Sequence, residues 1–172
     1  MRILFLVDRL ELENQAWKNF NAYLANDGIS TVIYKQKRQD WMQAQVVVTT
    51  IQSLAARNRF LHEFAPCDFQ LIISDEAHRT ISGNNRAIFE YFVGAKLGLT
   101  ATPRDYLKGL KEDTRQNDPR EYERRLLLDT YLTFGSDDGK PTFRYTLLNE
   151  EATRWPQAYA LTSRSKILTT IR

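Results

Sequence analysis

Residues 71–78 read LIISDEAH, and this stretch decides the fold that the sequence predicts. A short apolar strand, residues 71–74, ends in two adjacent carboxylates, Asp75 and Glu76, with His78 two positions later. A buried strand fixes the backbone, so the first acid can hold Mg²⁺ directly or through water. The second acid can polarise an attacking water for phosphoryl transfer. The stretch therefore indicates a magnesium–nucleotide site at the carboxyl end of a strand.

A second stretch further along the chain, LGLTATP at residues 97–103, has the same format. Its apolar strand ends in small hydroxyl residues, Thr100 and Thr102, and Pro103 then fixes the turn. Taken alone, the two threonines are most simply caps that close the strand. The phosphate-binding loop G-x-x-x-x-G-K-[ST] occurs nowhere in the 172 residues. The sequence therefore contains the acidic part of a nucleotide site without the part that binds the phosphates.

Composition narrows the class of protein. The 172 residues suffice for one domain with a sizeable core, and 42% apolar residues exclude wholesale disorder. No apolar run approaches the roughly 20 residues of a membrane span. The lone Cys67 makes no internal disulfide, which favours a reducing cytoplasm. A net charge of +3 permits contact with nucleic acid without demanding it.

Apolar strands alternate with helical patterns along the first hundred residues. The predicted strands are residues 3–7, 31–34, 46–49, 71–74 and 95–99. Residues 10–24 recur at near-helical spacing, residues 87–92 and 122–128 favour short helices, and Thr50 is placed to cap another. This alternation predicts βαβ units, and hence an α/β domain with a mostly parallel sheet flanked by helices.

Two polar segments that follow strands are candidates for contact with nucleic acid. Residues 8–15 place Arg9 at the start of a helix, where backbone amides and a basic side chain can hold phosphates. The alternative is a solvated first turn whose acids suit the helix dipole. Residues 49–54 place Thr49, Thr50 and Gln52 similarly, although the hydroxyls there can equally serve as a helix cap. His62 and Cys67 lack metal-ligand spacing to His78, which argues against zinc.

The four stretches at residues 8–15, 49–54, 71–78 and 97–103 resemble, in that order, motifs Ia, Ib, II and III of superfamily 2 helicases and translocases in the DEAH-box form. The resemblance is narrower still to the motor subunit of type I restriction endonucleases. It rests on LFLVDRLEL at 4–12, DEAHR at 75–79, LGLTATP at 97–103 and the segment GKPTFRY at 139–145, and it covers about residues 3–148. That subunit unites a nuclease domain with two RecA-like motor domains and uses ATP to pump duplex DNA past a methyltransferase core.

The resemblance implies a RecA-like fold, ATP and Mg²⁺ as cofactors, and a cytoplasmic location. Its implied partners are double-stranded DNA and the methyltransferase and specificity subunits of a restriction complex, with no membrane. The resemblance also implies roles for single residues. Asp75 holds Mg²⁺ through water, Glu76 positions water, and His78 relays between nucleotide and nucleic acid. Thr100 and Thr102 couple the nucleotide state to movement, and the residues that contact DNA are Arg9, Thr49, Thr50 and Gln52.

The chain departs from that family in lacking the phosphate loop (with its strand and helix), the nuclease domain and the second motor domain. We therefore expect part of a motor subunit that is inactive alone. The alternatives are a non-catalytic DNA- or subunit-binding remnant and a piece of a generic DEAH-box helicase. The expected organisation is a partial first RecA-like domain at 1–103, a charged insertion at 104–132, a further strand region at 133–148 and an irregular tail at 149–172. Without a phosphate-loop strand beside it, strand 95–99 is expected to have an open edge.

Overall fold

The structure is a computed structural model, and it describes residues 1–35, 38–81, 83–105, 119–136, 140–144 and 167–170. The strands in this part of the chain are β1 (Ile3–Val7), β2 (Thr31–Ile33), β3 (Val46–Thr50), β4 (Leu71–Asp75), β5 (Ala95–Thr100), β6 (Phe143–Arg144) and β7 (Ile167–Thr170). The helices are α1 (Leu10–Leu24), α2 (Arg38–Gln43), α3 (Ile51–Ala55), α4 (Arg59–Glu63), α5 (Ala77–Thr80), α6 (Arg86–Tyr91), α7 (Pro119–Leu128) and α8 (Thr130–Thr133). None of the helices in these ranges has both the length and the apolar character to cross a membrane.

The strands form one sheet in the order β2-β3-β1-β4-β5-β7-β6. The first five are parallel, and the central strand β1 places Leu4 opposite Val47 on one side and Ile72 on the other. Five parallel strands flanked by helices confirm the predicted α/β class and are consistent with the RecA-like fold. Because parallel strands all end on the same side, the segments that follow β1, β3, β4 and β5 meet along one border of the sheet, here called the carboxyl edge.

The two faces of the sheet are packed differently. One face carries the main core, in which Leu4, Leu6, Val47 and Ile72 are fully buried beneath the short helices. The aromatic members of this core are Tyr34, Trp41, Phe60, Phe64, Phe69, Phe89, Phe92 and Phe134. The opposite face receives α1, where the rings of Phe5 and Phe20 meet edge to face at 4.9 Å. Two-sided burial explains why β1 and β3 are almost continuously apolar.

Three strands end one residue later than the sequence predicted. The sheet includes Thr50 at the end of β3, Asp75 at the end of β4 and Thr100 at the end of β5. Asp75 is paired with Leu99 in the β4–β5 ladder. The candidate residues at these positions are therefore held by the sheet itself and not by loops.

The expectation of an irregular tail at 149–172 is wrong at Ile167–Thr170, which forms β7 against β5 in an antiparallel ladder. The outer edge of β5 is therefore paired and not open. The strand expected in 133–148 is observed only as Phe143–Arg144, which pairs with β7, and residues 145–148 lie outside the described part of the chain. An isolated four-residue strand carries too short an alternation to be detected from sequence.

In the predicted charged insertion, residues 106–118 lie outside the described part, and helix α7 contains the helix expected at 122–128. The proposed boundaries between the four segments remain predictions.

Candidate functional site

Four of the nine predicted site residues, Arg9, Glu76, His78 and Thr102, line a cleft at the carboxyl edge. Its volume is about 690 Å³. The lining consists of Asp8, Arg9, Glu11, Leu12, Glu76, His78, Arg79, Ala101 and Thr102. These residues come from the segments after β1, β4 and β5, so the parallel topology alone explains how positions far apart in sequence become neighbours.

The acidic pair occupies the sharp turn between β4 and α5. Asp75 accepts a hydrogen bond through Oδ1 from the Glu76 backbone N–H at 3.1 Å. Glu76 adopts a left-handed backbone conformation, with φ of 50° and ψ of 48°. Such a conformation is uncommon for a residue other than glycine and concentrates at functional sites. The Glu76 carbonyl then accepts from the Arg79 N–H at 2.8 Å, which closes the first turn of α5.

A chain of polar contacts joins the ends of β4 and β5. His78 Nδ1 lies 2.7 Å from Thr100 Oγ1 and 3.4 Å from Glu76 Oε2. The Thr102 N–H donates to Thr100 Oγ1 at 3.1 Å, and the Thr102 hydroxyl lies 3.4 Å from His78 Nε2. The structure thus brings together the acid, the histidine and both threonines that the sequence singled out.

The electrostatic surroundings keep His78 neutral at neutral pH. Burial lowers the pKa of His78 from its usual 6.5, because the charged imidazolium is poorly solvated there. The nearby Glu76 carboxylate opposes this shift, whereas the positive charges of Arg104 and Arg79 add to it. The lowered pKa favours the neutral ring, and in that form the contact between His78 and Glu76 is not an ion pair.

Asp75 suits magnesium better than a metal that needs an all-protein cage. Its Oδ1 is engaged by the Glu76 N–H, and its second oxygen remains as a potential ligand. Within the described residues, no group of three or more His, Cys, Asp or Glu side chains could enclose a metal. Mg²⁺ is commonly held by one or two carboxylates, with water and substrate phosphates filling the other positions. The donor set at Asp75 fits that pattern.

The candidates for contact with nucleic acid divide into exposed and buried residues. Arg9 precedes α1 with 64% of its side chain exposed, and Gln52 is exposed after β3. Thr49 and Thr50 are buried. The Thr50 hydroxyl accepts from the Ser53 N–H at 3.3 Å, and the Thr49 hydroxyl donates to the Thr50 carbonyl. The cap, one of the two alternatives that the sequence left open, is what the structure shows at Thr50, and neither hydroxyl is accessible to a phosphate in this conformation.

Two carboxylates at the carboxyl edge, those of Asp8 and Glu13, have no role predicted from the sequence. Asp8 follows β1 and accepts from Arg79 at 2.9 Å. Glu13 is buried on α1, where it accepts from the Thr50 N–H at 3.0 Å and lies 3.5 Å from Lys35 Nζ. The sequence contained a signal for Asp8, because this carboxylate comes at the end of an apolar strand in the same way as Asp75. Glu13 had none, because a glutamate in the first turn of a helix is normally solvent-exposed.

Comparisons with known proteins identify relatives of this chain. Three curated relatives are type I restriction enzyme endonuclease subunits of Staphylococcus aureus: SauMSSORF170P of strain MSSA476, SauMRSORF196P of strain MRSA252 and SauMW2ORF169P of strain MW2. Each is 31% identical over 110 residues, which is 60% of this chain and 12% of the relative. This chain thus spans a small part of their length, and the expected relationship to type I restriction subunits is confirmed.

The crystal structure of the Pyrococcus furiosus Hef helicase domain superposes on 77% of this chain and 26% of its own length, with a TM-score of 0.49 and 19% identity. A family model described as "Type III restriction enzyme, res subunit" matches residues 1–105. That match includes β1 to β5 and every candidate residue of the cleft. The chain belongs to this family.

Proposed function

We propose that this chain is part of the ATP-dependent motor of a restriction enzyme, in the first RecA-like domain that meets both nucleotide and duplex DNA. The observation that carries the proposal is the 2.7 Å contact between His78 Nδ1 and Thr100 Oγ1. It connects the acidic turn after β4 to the hydroxyl turn after β5. A motor needs such a link, because a change at the nucleotide must be transmitted to a neighbouring element.

The roles in this proposal follow from position. Asp75 holds Mg²⁺ through water at the end of β4, and when bound the ion neutralises the charge of the nucleotide phosphates. Glu76 orients water and accepts its proton. His78 is neutral, so it can exchange hydrogen bonds with Thr100 and Thr102 without adding charge to the site. Thr100 and Thr102 transmit a movement of the acidic turn to the segment after β5.

Contact with DNA falls to Arg9 and Gln52, whose side chains are exposed at the carboxyl edge. Contacts of this kind position a protein on the phosphate backbone and do not read sequence. Thr50 caps α3 through its hydroxyl and donates its backbone N–H to Glu13, and these contacts hold the turn from which Gln52 extends. Duplex DNA as partner, a restriction complex with methyltransferase and specificity subunits, and a cytoplasmic location all belong to this proposal.

A second candidate function is a non-catalytic DNA- or subunit-binding module. The feature that favours it is the absence of G-x-x-x-x-G-K-[ST] from residues 1–172. For the same reason we expect no ATP turnover from these 172 residues alone, since nothing in them cradles the β- and γ-phosphates. DNA binding is therefore the better first readout.

Fluorescence anisotropy with a labelled mixed-sequence duplex tests the proposal. We expect weak, sequence-independent binding at low salt, which Arg9→Ala weakens. Each lost phosphate contact should make the slope of log affinity against log salt shallower by about 0.9. Lys18→Ala is the matched control, because it removes one positive charge from the exposed middle of α1, away from the carboxyl edge. Sequence-specific binding that survives physiological salt would instead favour the dedicated binding module.

A further inference from the structure

One carboxylate, that of Asp8, receives side chains from three segments of the carboxyl edge. Its Oδ2 accepts from Arg79 Nη1 at 2.9 Å and lies 3.8 Å from Arg9 Nε. Its Oδ1 accepts from Gln52 Nε2 at 3.5 Å. Asp8 itself is only 17% exposed, so its charge is held in place directly after β1.

Arg79 is the one basic residue of this cluster to which the proposed function gives no role. It follows His78 in the short helix α5, lines the cleft and keeps 46% of its side chain exposed. A guanidinium is planar and carries five N–H donors, a geometry that matches the oxygens of a phosphate group. The side chain is therefore both held by Asp8 and accessible from the cleft.

The lining of the cleft carries charges of both signs, and their balance determines whether an anion can bind there. The lining includes two arginines, Arg9 and Arg79, against three carboxylates, those of Asp8, Glu11 and Glu76. An anion would be repelled by this lining unless it replaced a carboxylate as the partner of an arginine. Asp8 is the carboxylate in that position for Arg79, and it lies beside Arg9 as well.

We propose that Arg79 contacts a phosphate group in this cleft and that Asp8 is the internal competitor for its guanidinium. The inference rests on the proposed function, in which Arg9 meets the same backbone. Binding then exchanges one ion pair for another, so each contact is weak and is released readily. A protein that moves along DNA needs that property, because every phosphate it grips must be let go. Duplex DNA and a nucleotide both carry the required group.

The test measures affinity for the labelled duplex with Arg79→Ala, Asp8→Asn and the double variant. Arg79→Ala should lower the affinity several-fold and make the salt slope shallower by about 0.9. Asp8→Asn keeps the shape of the side chain and removes its charge, so it should raise the affinity several-fold. In the Arg79→Ala background that gain should largely disappear. Asp27→Asn is the matched control, since it removes an exposed carboxylate beyond the far end of α1.

The alternative is that the Asp8–Arg79 pair is only a structural tie. In that case both single variants weaken binding to a similar degree and lower the unfolding midpoint together, which would overturn the inference. If Arg9→Ala weakens duplex binding while Arg79→Ala changes neither duplex affinity nor the effect of Mg-ATP on the bound duplex, the inference fails and the proposed function stands. If the unmodified chain binds no duplex at low salt, the proposed function fails as well.

A competition arm identifies the source of the phosphate. Mg-ATP should leave the bound duplex in place if Arg79 meets the DNA backbone. If Mg-ATP instead displaces the duplex from the unmodified chain but not from Arg79→Ala, the result supports the phosphate site and assigns it to a nucleotide.

Discussion

At the scale of single residues, the neutral state of His78 determines what kind of contact joins β4 to β5. The ring is 14% exposed and its shortest contact is to the Thr100 hydroxyl at 2.7 Å. A neutral imidazole has one donor and one acceptor nitrogen, so it can bridge a hydroxyl without demanding a counterion. A protonated ring would instead form an ion pair with the Glu76 carboxylate, whose Oε2 lies 3.4 Å from His78 Nδ1.

The lowered pKa of His78 predicts a specific dependence of stability on pH. The unfolded chain takes up a proton at this residue near the usual pKa of 6.5, whereas the folded chain does so only at lower pH. Between these two values the unfolded state binds more protons, so the free energy of unfolding falls as the pH falls through that window. The contribution is fully present above 6.5 and is lost below the folded-state pKa.

Urea unfolding at a series of pH values measures this effect. We expect His78→Gln to lose less stability than the unmodified chain on acidification from about pH 7.5 to about pH 5. His62→Gln, which replaces the exposed histidine of α4, controls for the loss of a histidine as such. Parallel curves for the unmodified chain and His78→Gln would show that His78 does not carry the dependence.

The residues of the site were predictable to the extent that strands place them. Asp75, His78 and Thr100 follow or end neighbouring strands, so the sequence pattern alone brings them together. The pair between Asp8 and Arg79 spans 71 positions and depends on which way a long side chain turns. Nothing in the local sequence specifies that choice, because several rotamers of arginine would be open in an isolated chain.

At the scale of secondary-structure elements, the carboxyl edge is held in place by close packing beneath β5. Gly98 lies against the ring of Phe134, which follows α8, and against Ala77 at the start of α5. A Cβ atom at Gly98 would lie 2.9 Å from Phe134 Cδ2 and 3.1 Å from the Ala77 Cβ. The absence of a side chain at position 98 therefore lets two elements approach the strand whose end carries Thr100.

Gly98→Ala should destabilise the protein by about 1–3 kcal/mol through overpacking, measured by urea unfolding. Phe134→Leu should relieve part of that cost, so the double variant should be more stable than the sum of the single effects predicts. Gly94→Ala is the contrast, because its Cβ would lie 2.2 Å from the Phe69 backbone oxygen, which no side-chain replacement can move. Simple additivity of Gly98→Ala and Phe134→Leu would contradict this account.

The elements themselves were predictable where they are long or repeat with the others. All five parallel strands and the fifteen-residue helix α1 agree with the pattern of apolar residues. Helices α2 and α4, at Arg38–Gln43 and Arg59–Glu63, had no such signal. Each spans fewer than two turns, too few for an apolar period of 3.6 residues to show. Their positions are decided by the aromatic core onto which Trp41 and Phe60 fold.

At the scale of the whole molecule, the outer edge of strand β5 is paired with β7, a segment far from it in the sequence. The sequence suggested that β5 would end the sheet with unpaired backbone groups, but β7 pairs with it from Leu97↔Thr170 to Thr100↔Ile167. This pairing joins residues far apart in the chain, and its cost in loop closure is paid only once the parallel sheet has formed. No local pattern could have revealed it.

Removing β7 should therefore change the association state of the molecule. A variant that ends at residue 166 would uncover the backbone N–H and C=O groups of β5, which form a template for pairing with another chain. We expect this variant to show concentration-dependent association by size-exclusion chromatography with light scattering. Hydrogen exchange should quicken at the amides of β5, while those of β1, paired on both sides by β3 and β4, stay protected.

A point variant separates the loss of pairing from the loss of residues. Thr169 lies opposite Gly98 in the ladder, and Thr169→Pro removes a backbone N–H while keeping the chain length. Thr169→Val keeps that N–H and is the matched control. If β7 closes the sheet, Thr169→Pro should resemble the variant ending at residue 166, and Thr169→Val should resemble the unmodified chain. A monomeric variant ending at residue 166, with β5 amides as slow to exchange as before, would show instead that β5 needs no strand beside it.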